Sequence, residues 1–203
     1  MITIIDYGIS NIGSVANALN KLGFFFKISA DPLVLRQSTV LILPGVGQAA
    51  TGMRNLKNRG LDKEIIKQIN QGKSFLGICL GMQLLFDFSQ EGNVDCLGIL
   101  KGEVKRFKLE RKIPQIGWNQ VKFVNKKNKK QFKEIPENSY FYFVNSYYCV
   151  PEDKSIVAGV SEYGETFASV VVKNNILATQ FHPEKSGESG FQLIRNFINI
   201  SPC

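Results

Sequence analysis

The chain has 203 residues, 44% of them hydrophobic and 21% charged, with 25 Lys and Arg against 17 Asp and Glu for a formal charge of +8. That length suits one domain over residues 1–203 with a sizeable core and leaves no room for a second catalytic domain. The composition excludes a disordered or fibrous chain. The apolar opening 1–5 meets Asp6 within one strand length and has no basic residue before it, which is neither a secretory signal nor a membrane span, so a cytoplasmic location is expected.

The four cysteines, Cys79, Cys96, Cys149 and Cys203, show no C-x-x-C spacing, and the chain has a single histidine. These are too few ligands for a zinc site, so neither metal nor cofactor is expected. The lysines concentrate in KFVNKKNKKQFK at 122–133. Without stacking aromatics this stretch reads as a solvated hairpin tip and not as a phosphate-binding patch, so no nucleic-acid partner is expected.

In chain order, the apolar run 2–5 reads as a strand. It is followed by a helical pattern in which Ile12, Val15, Leu19 and Leu22 recur at three- and four-residue spacing. Residues 24–28 form a second strand candidate, 40–43 a third that stops at Pro44-Gly45, and 75–78 a fourth that stops at Cys79. Helices over 49–56 and 61–70 separate the last two, and another is predicted over 83–88. Strands alternating with helices imply an α/β fold: a doubly wound, mostly parallel or mixed central sheet flanked by helices, with ligands gathering beyond the carboxyl ends of the strands. From Leu97 the pattern turns to short runs at 121–124, 140–144, 156–160, 167–172 and 176–179, which read as antiparallel or mixed strands. An amphipathic helix over 189–198 closes the chain.

Three segments carry chemistry. Gly77-Ile78-Cys79-Leu80-Gly81 is the cysteine form of a nucleophile elbow, a sharp strand-to-helix turn whose glycines admit close backbone and whose cysteine stands above the sheet at a helix N-terminus. Gln180-Phe181-His182-Pro183-Glu184 follows an apolar run. Pro183 is expected to keep the backbone extended so that His182 and Glu184 share a face, a base and its orienter completing a Cys-His-acid triad. Pro44-Gly45-Val46-Gly47 can turn backbone N–H groups toward an oxyanion, with the N–H of Leu80 as their companion.

With these segments in view, the sequence resembles the class I (triad) glutamine amidotransferases, and within them the glutaminase subunits of imidazole glycerol phosphate synthase. The resemblance rests on Ile5-Asp6-Tyr7-Gly8 with Asn11, on the Pro-Gly-Val-Gly, elbow and His-Pro-Glu-Lys-Ser segments, on Gly117-Trp118-Asn119, and on Tyr142-Phe143-Val144 with Ser146-Tyr147. It implies that Cys79 attacks the glutamine side-chain amide to form a glutamyl thioester, that His182 shuttles the proton, and that Glu184 orients His182. It implies further that Gln83, Glu91, Ser146 and Tyr147 hold the amino-acid end of glutamine. Trp118, Asn119, Tyr142 and Lys185 would face a cyclase subunit that receives the ammonia in a heterodimer serving histidine biosynthesis. The chain departs from the family pattern at Asn145, where the family has histidine, at Ile116 and at Ser10.

Asn145 and the positive charge keep a second reading open, a paralogous glutaminase that feeds a different synthase, such as one amidinating a sugar for surface polysaccharide. An idle binding module and a cysteine peptidase are the readings from other classes. The intact triad speaks against the first, and Gln83 with Glu91 speaks against the second.

Overall fold

The computed structural model of the chain describes residues 1–108, 112–124 and 130–201. Strands β1 (Ile2–Ile5), β3 (Val40–Gly45) and β4 (Ser74–Cys79) are buried along their whole length, which is why they read as unbroken apolar runs. Their alternate side chains serve opposite faces of the sheet. Ile4, Ile42, Leu76 and Ile78 pack with Val15 and Leu19 of α1 (Ile12–Lys21) and with Leu193 and Phe197 of α6 (Gly187–Ile200). Ile5, Leu41, Leu43 and Phe75 pack with Met53 and Leu56 of α3 (Ala49–Asn58) and with Ile65 and Ile69 of α4 (Leu61–Asn70).

The sheet begins with β2 (Phe26–Ser29), β1, β3, β4 and β14 (Ile176–Thr179), all parallel. Beyond β14 it turns antiparallel through β13 (Thr166–Lys173) and continues through β11 (Tyr147–Pro151), β7 (Gly102–Arg106) and the short β5 (Phe88–Ser89) and β6 (Val94–Asp95). Strands β12 (Val157–Glu162) and β9 (Lys122–Phe123) branch from β13. Strands β8 (Gln115–Gln120) and β10 (Tyr140–Asn145) form a separate antiparallel ribbon. The α/β fold with a mixed central sheet is the one expected. The carboxyl ends of β3, β4 and β14 bring the Pro44 loop, Cys79 and the segment leading to His182 to one edge.

Several elements differ from the sequence reading. The helix after the elbow is α5 (Leu80–Gln83), not 83–88. It stops because the carbonyls of Leu84, Leu85 and Phe86 are taken by the amides of Leu97, Gly98, Ile99 and Leu100, a long-range pairing invisible in local periodicity. Helix α2 (Pro32–Gln37) was not anticipated, although its signals are present: the Asp31 side chain accepts from the Leu33 N–H at 2.8 Å and Pro32 opens the first turn. The expected strand 121–124 is shortened to β9, and β8, which was not expected, precedes it. Of the lysine-rich stretch expected as a hairpin tip, residues 125–129 lie outside the described residues. On its near side Lys122 and Phe123 pair with β12, not with β10.

Among the described residues no helix is long and apolar enough to cross a membrane, and no group of three His, Cys, Asp or Glu is placed to hold a metal ion. Cys79, Cys96 and Cys149 are free thiols; Cys203 lies outside the described residues.

Candidate active site

The site is built on one strained residue. Cys79 ends β4 with φ 54° and ψ −110°, a conformation a non-glycine residue adopts only where its surroundings impose it. The imposing contacts come from β3, α5 and Tyr7. A Cβ on Gly81 would overlap the Leu43 carbonyl oxygen, and one on Gly45 would meet the Tyr7 hydroxyl and lie 2.7 Å from the Leu80 Cβ. The start of α5 is thus seated directly on β3, and the thiol projects past the end of the sheet.

His182 and Glu184 meet by a route other than the extended segment expected. His182 is extended, with ψ 93°, as the following proline requires. The chain then makes a 3₁₀ turn over Pro183–Lys185, closed by the Lys185 N–H to the His182 carbonyl at 3.0 Å. That turn folds Glu184 back, so that its Oε1 lies 2.7 Å from His182 Nδ1, with 3% and 0% of the two side chains exposed. The turn is tied to β10. The His182 N–H donates to the Tyr142 carbonyl at 2.9 Å, the Tyr142 N–H donates to Ser186 Oγ at 2.9 Å, and Ser186 Oγ donates to the His182 carbonyl at 2.6 Å.

Burial alone lowers the His182 pKa, but the hydrogen bonds to Cys79 and Glu184 and the negative charge each can carry outweigh it, pushing it from 6.5 up to about 10. The imidazole therefore holds its proton at neutral pH, between a carboxylate and the cysteine sulfur. Asn11 stands at the N-cap position of α1 yet caps nothing with its side chain. Its Nδ2 instead donates to Glu184 Oε1 at 3.2 Å, with Ser14 Oγ donating to Asn11 Oδ1 at 2.9 Å.

A cavity of about 290 Å³ opens in front of Cys79 and His182, and Val46, Gly47, Leu80 and Gln83 are among its lining residues. Of the other residues expected to hold substrate, Glu91, Ser146 and Tyr147 also line it; Gly45 does not, being packed beneath Leu80. Glu91 Oε2 accepts from the Ala49 N–H at the start of α3 at 3.0 Å, and burial raises the pKa of its carboxyl despite that bond. The Tyr147 carbonyl accepts from both Gln83 Nε2 at 3.3 Å and Asn145 Nδ2 at 3.0 Å. The Val46 N–H is taken up by the Ile9 carbonyl at 3.4 Å. Pro114, Val144 and Asn145 complete the wall; of these only Asn145 stood out in the sequence.

The residues expected at a partner surface separate into two groups. Lys185 is on the cavity wall. Trp118 and Tyr142 face each other across the β8–β10 ribbon with ring centroids 6.2 Å apart, Trp118 being 57% exposed. Asn119, beside Trp118, donates through Nδ2 to the Glu162 carbonyl at 2.9 Å. Exposed Ile116, Tyr140 and Val144 extend the apolar character of the ribbon.

A cysteine on a strained elbow, a charged buried histidine and a carboxylate behind it define a thiol-dependent acyl-transfer enzyme. The sequence model of the class-I glutamine amidotransferases matches residues 3–200. The chain is 46% identical over 202 residues to the imidazole glycerol phosphate synthase subunit HisH of Dehalococcoides mccartyi strain 195, covering 99% of this chain and 98% of that protein. It is 49% identical to subunit HisH 2 of Methanococcus maripaludis, covering 98% of each chain, and 47% identical to HisH of Aquifex aeolicus, covering 96% of this chain and 94% of that protein. The chain belongs to the class I glutamine amidotransferases and, within them, to the family of the HisH subunits of imidazole glycerol phosphate synthase. The same fold is found in a crystal structure of a glutamine amidotransferase, with TM-score 0.78 at 19% identity over 99% of both chains. It recurs in the PurLQS structure from Thermotoga maritima, with TM-score 0.73 at 21% identity, covering 98% of this chain and 97% of that one.

Proposed function

We propose that this chain is the glutaminase subunit of imidazole glycerol phosphate synthase, hydrolysing glutamine to glutamate and ammonia and passing the ammonia to a cyclase subunit in a cytoplasmic heterodimer. The observation that carries the reading is the 2.7 Å contact of His182, on the wall of the same cavity as the elbow cysteine, with a fully buried Glu184 side chain.

The chemistry follows from those positions. The Cys79 thiolate attacks the side-chain carbonyl carbon of glutamine, and the carbonyl oxygen takes up negative charge facing the N–H groups of Leu80, Val46 and Gly47. For the Val46 N–H to take part, its bond to Ile9 must give way. His182 donates its proton to the departing nitrogen as the C–N bond breaks, leaving ammonia and a thioester. The now neutral imidazole takes a proton from water, which attacks the thioester; the thiolate leaves, glutamate is released and His182 is protonated again. Glu184 keeps Nδ1 hydrogen-bonded throughout, and Asn11 holds Glu184. Gln83 and Glu91, with the backbone near Ser146 and Tyr147, grip the amino-acid end of the substrate.

Trp118, Asn119, Tyr142 and Lys185 form the surface for the cyclase. An apolar ribbon with two exposed aromatic rings has the composition of the centre of an interface, and it adjoins the His182 turn through the Tyr142 bonds.

A diazoketone analogue of glutamine tests the chemistry: peptide mass spectrometry should find one adduct, on Cys79, blocked by excess glutamine. An unmodified Cys79, or an adduct on Cys96 or Cys149, would overturn the assignment.

A further inference from the structure

We propose that Gln180 is a catalytic residue in its own right, donating a hydrogen bond from its side-chain amide to the Cys79 sulfur and so stabilising the thiolate. The inference rests on Cys79 being the nucleophile.

Gln180 precedes the His182 turn and is completely buried. Burying a carboxamide without partners is costly, and here both ends are used. Its Nε2 lies 3.6 Å from Cys79 Sγ, and its Oε1 accepts from Gln83 Nε2 at 3.0 Å. Carboxamide nitrogen and oxygen are told apart by their partners, and the orientation here is set from a fixed point. The Tyr147 backbone carbonyl can only accept, so the Gln83 atom facing it at 3.3 Å is the NH₂ group. That group also faces Gln180, so the Gln180 atom it meets is the oxygen. The Gln180 NH₂ is thereby turned to the sulfur.

The other groups around the sulfur make this bond matter. The Val144 carbonyl lies 3.8 Å from Sγ, suited to accept from a thiol and unfavourable to a thiolate. Among the described residues, His182 carries the positive charge that is coupled to Cys79. The Tyr7 hydroxyl and the Cys149 thiol are both kept neutral by burial and by the Cys79 charge, and Glu184 stands behind the imidazole. Glu91 and Lys185 line the cavity in front. When His182 gives up its proton to the leaving nitrogen, its charge is gone, and Gln180 remains as a donor held on the sulfur. A neutral amide that keeps its protons through the whole cycle remains a donor on the sulfur during the interval in which the imidazole is neutral, from the departure of ammonia until the proton of the attacking water is taken up.

The test is the rate of Cys79 alkylation by iodoacetamide as a function of pH, followed by peptide mass spectrometry, in the parent chain, Gln180→Met and Gln180→Glu. Methionine keeps length and burial without a donor; glutamate keeps the acceptor for Gln83. Hydrogen bonds to charged groups are worth enough that losing this one should slow alkylation at neutral pH by about 10- to 100-fold. At alkaline pH, where the thiol ionises in every variant, the rates should converge. Unchanged alkylation at neutral pH would overturn the proposal, as would an equal deficit at all pH values, which marks damage to the shape of the site. A parent chain in which Cys79 does not react at all would instead sink the triad reading. Should both variants fail to fold, the parent answers alone: the Gln180 side-chain amide proton resonance should move when Cys79 is alkylated, and a resonance that stays in place excludes the bond.

Discussion

His182 Nδ1 and Glu184 Oε1 lie 2.7 Å apart at a point where neither side chain meets appreciable solvent. The carboxylate's other oxygen, Oε2, is buried without a partner among the described residues, and Oε1 takes the hydrogen bonds from both His182 and Asn11. Glu184→Gln would place an amide there and disturb which imidazole nitrogen carries the proton. Glutamine hydrolysis should fall by about 10²- to 10⁴-fold, the usual worth of a positioned acid–base group, with an unchanged circular dichroism spectrum. A loss of less than tenfold in a steady-state assay would mean that His182 is oriented by something else.

The same pair predicts a pH dependence of stability. The folded chain holds the His182 proton up to about pH 10, whereas the unfolded chain releases it near 6.5. Between those values the native state binds more protons than the unfolded one, so stability is fully present below 6.5 and declines as pH rises toward 10. Thermal denaturation from pH 6 upward should show this decline, and it should be shallower in Cys79→Ala, which removes one of the groups that raises the histidine. Identical slopes in the two proteins would show that Cys79 does not hold the proton on His182.

Gly81 and Gly13 make a paired prediction. A methyl group on Gly81 would overlap the Leu43 carbonyl, whereas one on Gly13, within α1, meets nothing within 4 Å among the described residues. Gly81→Ala should destabilise by about 4 kcal/mol or more and remove activity. Gly13→Ala should be neutral or stabilise by up to about 1 kcal/mol. Melting temperatures of the two variants decide the matter; similar values would mean that the elbow is not seated on β3 as described.

Asn145 stands where the family pattern has histidine. Its Nδ2 and Gln83 Nε2 share the Tyr147 carbonyl, so it holds the corner between β10 and β11 that forms one wall of the cavity. Asn145→Ala should remove about 1 kcal/mol of that support, raising KM for glutamine roughly fivefold with kcat changed by no more than about twofold. A fall in kcat at constant KM would place Asn145 in the chemistry and not in binding.

Trp118 packs against Tyr142, its one ring contact among the described residues, and is more than half exposed. Trp118→Ala should leave the melting temperature of the isolated chain close to that of the parent. It should weaken binding to the cyclase by about 2 kcal/mol or more, roughly thirtyfold in Kd by calorimetry. Unaltered binding would move the interface elsewhere.

The residues that were readable in advance are those whose meaning is local. β1, β3 and β4 announce themselves as apolar runs because both faces are covered, and the elbow glycines flank Cys79 in sequence as they do in space. What escaped depends on distant partners. The end of α5 is set by amides twelve to fifteen residues further along, and β11 and β7 are ordered by each other and by β13. The turn that joins His182 to Glu184 is fixed by Ser186 and Tyr142. Asn11 reaches Glu184 across 173 residues, and no spacing rule could have paired them. Gln180 was in plain view beside the histidine, but its task became visible only once Gln83 and the Tyr147 carbonyl fixed which way its amide points.

The most direct test of the central claim is the rate of glutamine hydrolysis by the purified chain, alone and mixed with the histidine-pathway cyclase subunit and its nucleotide ligand. Turnover should be slow for the chain alone and stimulated about 5- to 150-fold in the mixture, the range of ordinary coupling between sites, with Cys79→Ala silent in both. Hydrolysis that is indifferent to the cyclase would contradict the proposed partnership and direct the ammonia to another synthase; turnover that survives in Cys79→Ala would contradict the triad itself.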